Sequence, residues 1–187
     1  MRMLPFATAV AFAAVTLTAM ASPPPQFQAD NDMPSKLPVR LFADACVGNL
    51  ATPAGLEALM DKIGTPQPAD SSFLQDQPGK AWLVQDPFGN THAIARQDRG
   101  LCTVYVRQGD PALIRAEFEL IARAAPAPLQ ILHEQHTQGS SPRQSEQYIW
   151  HEPGKPQAVL LMLTLDPTPE ANLRALISAS YTDPPAP

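Results

Sequence analysis

An export signal followed by only two cysteines constrains this chain more than any other feature of its sequence. Arg2 opens the chain with a positive charge, Leu4 to Met20 is almost wholly apolar and uncharged, and Ala19-Met20-Ala21 supplies the small-x-small pattern that signal peptidase reads. Cleavage after Ala21 leaves a chain that starts Ser22-Pro23-Pro24-Pro25. The competing reading is an uncleaved membrane anchor. The apolar run is only marginally long enough to span a bilayer, and three prolines directly after it stop any continuing helix. The leader holds no cysteine, which excludes a lipid-anchored bacterial form. The expected location is therefore periplasmic or secreted, an oxidising setting. No second apolar run of spanning length follows, so no membrane span is expected after cleavage.

Cys46 and Cys102 are an even pair in such a compartment, which points to one disulfide. It would join the first helix to the third strand. Closing a loop of about 56 residues in the unfolded chain is worth on the order of 4 kcal/mol in the chain-entropy model. The alternative is a reactive thiol. Against it, the chain has no Cys-x-x-Cys motif, and both cysteines fall on predicted core faces.

The chain divides into a signal peptide (1–21), a disordered Pro-rich tether (22–36), a single domain (37–182) and a short disordered tail (183–187). A formal net charge of −5, one unit more negative once Arg2 leaves, argues against nucleic acid and against an anionic membrane surface. No block of like charges suggests a docking tail, and no internal repeat is present.

Periodicity places the elements. Val39, Phe42, Ala43 and Cys46 form one face of a helix, with Pro38 in its first turn and Gly48 at its end. Thr52 caps a second helix, with Pro53 at its first position, a stripe of Leu56, Leu59, Met60 and Ile63, and Gly64 as its stop. The short link between them predicts a helical hairpin. The period then changes to two. Lys80–Asp86 and Thr91–Gln97 read as strands joined by Pro87-Phe88-Gly89-Asn90, and Leu101–Arg107 follows with one face buried. Asp110-Pro111 starts a helix carrying Ile114, Phe118, Ile121 and Ala125 on one side. Three more strands are expected at Leu129–His136, Ser145–Glu152 and Gln157–Leu165, the last placed centrally because it is apolar nearly throughout. The segment from Leu173 to Thr182 fits a strand better than a helix, with only Leu176 on the wrong face. The fold class is α+β: two layers, a helical hairpin and one central helix over a mostly antiparallel sheet of about seven strands.

Few residues carry a chemical signature. His133-Glu134-Gln135-His136 is one residue short of the His-Glu-x-x-His zinc motif, and strand positions 133 and 136 point to opposite faces. His151 can approach His136 across the hairpin, but a third ligand is not evident, so no metal site and no cofactor are expected. His92 offers no metal-ligand spacing. With a hairpin loop from Thr137 to Gln144, the residues Ile131, His133, Tyr148 and Trp150 share one face. They form the candidate contact surface, an aromatic cluster with a polar handle. The alternative is that they pack beneath a helix as core, where Trp82 is also expected. No Gly-x-Ser-x-Gly elbow surrounds Ser140 or Ser141, and no phosphate-binding glycine loop appears. The order of elements is similar to that of acyl-CoA-dependent N-acetyltransferases. The turn Arg107-Gln108-Gly109-Asp110-Pro111 lacks their second glycine, however, and Pro111 removes a needed N–H donor.

Phe42 with Cys46, Gly79-x-Ala81-Trp82, Gly89, and Gly100-Leu101-Cys102-x-Val104 together resemble an uncharacterised group of small exported proteins and lipoproteins of Gram-negative bacteria. The resemblance covers Leu41 to Val106. It implies an envelope location and pairing of Cys46 with Cys102, and no activity. This chain departs from the lipoprotein members in lacking a lipobox cysteine. Three functions compete on this basis. The first is a periplasmic binding or accessory protein whose partner is another envelope protein. The second is a structural envelope component, and the third is a hydrolase whose His133 or His151 meets an acid in a cleft. The oligomeric state is left open.

Overall fold

The computed structural model describes residues 32–138 and 142–184. The expected signal peptide, the expected tether up to residue 31, residues 139–141 and the last three residues lie outside the described residues. The elements run α1 (Met33–Phe42), a π-helical turn (Ala43–Val47), α2 (Pro53–Ile63), β1 (Gly64–Pro66), a 3-10 turn (Ser72–Leu74), β2 (Gly79–Gln85), β3 (Thr91–Gln97), β4 (Cys102–Val106), α3 (Pro111–Ala122), β5 (Gln130–Gln138), β6 (Gln144–His151), β7 (Ala158–Leu165) and β8 (Ala175–Thr182). The class is α+β. The strands form one eight-stranded antiparallel sheet in the order β1-β2-β3-β4-β8-β7-β6-β5.

That order follows from one crossover. After β4 the chain runs through α3 to the far edge, lays down β5, and returns strand by strand until β8 pairs with β4. The most central strands are thus β4 and β8. The apolar β7, expected in that place, lies inside the sheet between β6 and β8. β1 was not expected, because three residues ending in proline carry no period-two signal.

The helices cover one face. α1 packs on α3, β4 and β8, and α3 packs on β7. Ile114, Phe118 and Ala122 of α3 are fully buried, as are Val39 and Phe42 of α1. Asp110 caps α3 as the sequence predicts, its Oδ1 accepting from the amides of Ala112 (2.8 Å) and Leu113 (3.2 Å). Thr52 sits at the start of α2 but makes no side-chain cap bond.

α1 begins earlier than Pro38. Pro34 takes the first turn and Pro38 lies inside the helix, where it lacks one ladder hydrogen bond. Met33 to Lys36, expected in the tether, are therefore helical. Tertiary contact overrides the local signal here: the Asp110 amide donates to the buried Ser35 Oγ at 2.9 Å, fastening the start of α1 to the start of α3. Gly109 permits that approach. It has φ +127°, and a Cβ there would lie 3.1 Å from Ile114 Cδ1.

The π turn also shifts the helix phase. The Gly48 amide donates to Ala43 O, an i to i−5 bond of 2.9 Å. The wider turn buries Ala45 rather than Ala43 and still delivers Cys46 to the sheet. Cys46 and Cys102 form the disulfide, with Cα atoms 5.5 Å apart.

The opposite sheet face has its own smaller cluster. Phe73 and Leu74 cover Ala81, Ala93, Ala95 and Tyr105, with Leu173 and Leu176 beside them. Tyr105 donates to Phe73 O at 2.7 Å. β4 is consequently buried on both faces, not one. The same cluster explains Leu176: it pairs with Tyr105 and belongs to this second core.

Candidate functional site

The β5–β6 hairpin does not present the expected contact face. Tyr148 and Trp150 are buried, 0% and 2% exposed, beneath α3. Tyr148 meets Phe118 edge-on at 5.9 Å between ring centroids, and Trp150 Nε1 donates to Ala122 O at 2.7 Å. Ile131 pairs with Trp150 but is 39% exposed at the sheet edge. A bulge after Ile131 shifts the register, so position 133 pairs with Ile149, which alternates with Tyr148 and Trp150. The side chain of His133 lies outside the described residues. The hairpin is also longer than predicted, since Thr137 pairs with Ser145 and Gln138 with Gln144.

What the hairpin does form is a charged recess against α3. Glu146 projects to the same face as Tyr148 and Trp150 and stands across from His136. Its side chain is 5% exposed. Oε1 lies 2.6 Å from Arg115 Nε and 3.6 Å from His136 Nδ1. Oε2 is buried with no hydrogen-bond partner among the described residues. Burial pushes the Glu146 carboxyl above its ordinary range, against the pull of Arg115.

Around it the charges alternate. His136 Nε2 lies 2.8 Å from Glu134 Oε1, which also pairs with Arg123 and accepts from the Tyr148 hydroxyl at 3.4 Å. The hydrogen bond to Glu134 raises the His136 pKa, and the same bond lowers that of Glu134. Burial, with Glu134 adding to it, pushes the Tyr148 hydroxyl up to about 12. The Arg123 guanidinium lies 5.7 Å from the Tyr148 ring centroid. Arg115 also bonds Gln144. Arg115 and Glu119 of α3, His136 and Thr137 of β5, and Gln144 and Glu146 of β6 line a recess of about 340 Å³ between α3 and the edge strand β5.

Chemically this is a carboxylate-floored recess with fixed counter-charges. Each described polar contact of His136, the hydrogen bond to Glu134 and the longer ion pair with Glu146, goes to a carboxylate, and none brings it a hydroxyl or thiol nucleophile. His151, expected near His136, instead pairs with Gln130 at the other end of the hairpin. Among the described residues no group of three His, Cys, Asp or Glu side chains is placed to hold a metal ion. No helix among them is long and apolar enough to cross a membrane.

Sequence reasoning missed Arg115, Arg123, Glu134 and Glu146. One signal was legible: Glu146 has the same strand parity as Tyr148 and Trp150, so a carboxylate falls on a core-facing position. Comparison of the chain with family models, with curated proteins and with solved structures returns no match.

Proposed function

We propose that this chain is an exported binding or accessory protein that seats a basic, extended segment of another envelope protein against β5 and the recess beside it. One observation carries the reading. The nearly buried Glu146 keeps one carboxylate oxygen without a partner in a recess bordered by an edge strand. A buried acceptor left unpaired costs about 1–3 kcal/mol, and an incoming ammonium or guanidinium removes that cost. β5 supplies the backbone for docking. It is a nine-residue strand whose outer side pairs with no other strand among the described residues, and beyond the bulge it runs regularly beside the recess. Glu119, on the wall of the recess, adds negative charge for the same basic group. The export signal, the disulfide in an otherwise cysteine-free chain, and the resemblance to small envelope proteins support a periplasmic setting.

Titration of short extended peptides tests this reading. Peptides with a central Arg should bind at least roughly tenfold tighter than the same peptides with norleucine, and Glu146→Gln should remove the difference. Backbone amide shifts on binding should concentrate in residues 133–138. Equal binding of the Arg and norleucine peptides, or shifts confined to another face, would defeat it.

A further inference from the structure

A second recess, at the other end of the sheet, contains a buried pair that the binding reading does not use. His92, on the helix-facing side of β3, is 2% exposed. Its Nε2 lies 3.5 Å from Asp86 Oδ2, at the limit of hydrogen-bond reach, and neither ring nitrogen has a hydrogen-bond partner among the described residues. The imidazole lines a cavity of about 230 Å³ walled by Leu37 and Leu41 of α1, Ile63 at the end of α2, and Pro87. Ile63 stands at its rim, 47% exposed despite its size.

We propose that this cavity is a binding site for a small uncharged molecule with an apolar body and one hydroxyl group, the hydroxyl pairing with His92.

The chemistry selects that class. The walls are mostly apolar, with Gln85 and Asp86 the polar neighbours of His92, which disfavours a strongly hydrated ligand. Asp86 is already spoken for: Oδ1 accepts from the Phe88 and Asn90 amides at 2.9 and 2.8 Å, and Oδ2 from Asn90 Nδ2 at 2.8 Å. It therefore has little left to hold a cation. Burial pushes the Asp86 carboxyl up, but those hydrogen bonds outweigh it and keep the group ionised, so an anion beside it is repelled. Burial likewise lowers the pKa of His92, and the nearby Asp86 only partly offsets this. A neutral imidazole has one donor and one acceptor nitrogen, and a hydroxyl can answer either. A dry cavity of about 150 Å³ accepts benzene, so this one has room for a substituted ring.

The probes are p-cresol and toluene, which share a body and differ by the hydroxyl. In purified protein, p-cresol should shift the methyl signals of Leu37, Leu41 and Ile63 and the ring nitrogens of His92. Toluene should bind at least roughly tenfold more weakly, since it leaves the imidazole unpaired. His92→Leu should bring the two affinities together. No shift with p-cresol at millimolar concentration, equal binding of both probes to the native chain, or a preference that survives His92→Leu would each overturn the proposal. If His92→Leu does not fold, Ile63→Glu provides the second test. It places a charge at the exposed rim and should weaken p-cresol by roughly tenfold at an unchanged melting temperature. Unchanged affinity in that variant overturns the site as well.

Discussion

Replacing both Cys46 and Cys102 with alanine should destabilise the domain chiefly through its unfolded state. The sulfurs join the π turn of the helical layer to the central strand β4, across a sequence separation of 56 residues. Releasing a loop of that length returns on the order of 4 kcal/mol of chain entropy to the denatured ensemble. Both side chains are almost fully buried, so loss of their packing adds to the effect and does not offset it. For a domain of this size that corresponds to a fall of roughly 8–16 °C in melting temperature. Urea unfolding should show a lower midpoint together with a steeper slope, because an unlinked chain exposes more surface when unfolded. Native protein in a strong thiol reductant should move in the same direction. A fall of less than about 3 °C with an unchanged slope would refute the loop-entropy account. It would mean that packing alone holds the π turn against β4.

Tyr148→Ala should cost about 3–5 kcal/mol in urea unfolding, since the ring fills the space between Phe118 and the sheet; a near-zero change would restore the contact-surface reading. Trp150→Phe should lose about 1 kcal/mol through its bond to Ala122 O, and a double cycle with a neutral partner site should leave that value unchanged. Because the folded pKa of Glu146 lies above its ordinary 4.5, its contribution to stability is fully present below pH 4.5 and declines as pH rises through the folded value. Glu146→Gln should therefore flatten the urea midpoint over that window and raise it at neutral pH. For His92 the sign is opposite. Its folded pKa lies below the ordinary 6.5, so its contribution is present above pH 6.5 and is lost as pH falls through the folded value, and His92→Leu should remove that loss.

Local signals in the chain determined most of the elements. The Asp110-Pro111 start of α3, the period-two runs of β2, β3, β6 and β7, and the preference of Ala175–Thr182 for a strand all rest on interactions within a few residues. The pairing of Cys46 with Cys102 was equally legible, since the chain offers each cysteine one possible partner. Where the sequence misled, a distant contact had won. Met33 to Lys36 are helical because Ser35 is fastened to Asp110. Leu176 faces the second core because Phe73 and Leu74 fold over β4. Tyr148 and Trp150 share a strand parity that fits an interface or a core equally well, and only the placement of α3 decides for the core. The two recesses depend on tertiary structure for the same reason. Arg115, His136 and Glu146 come from three elements, and Leu37, Ile63 and His92 from another three. Side chains so far apart in sequence leave no spacing to read, because what unites them is the order in which the sheet is assembled and the face on which the helices land.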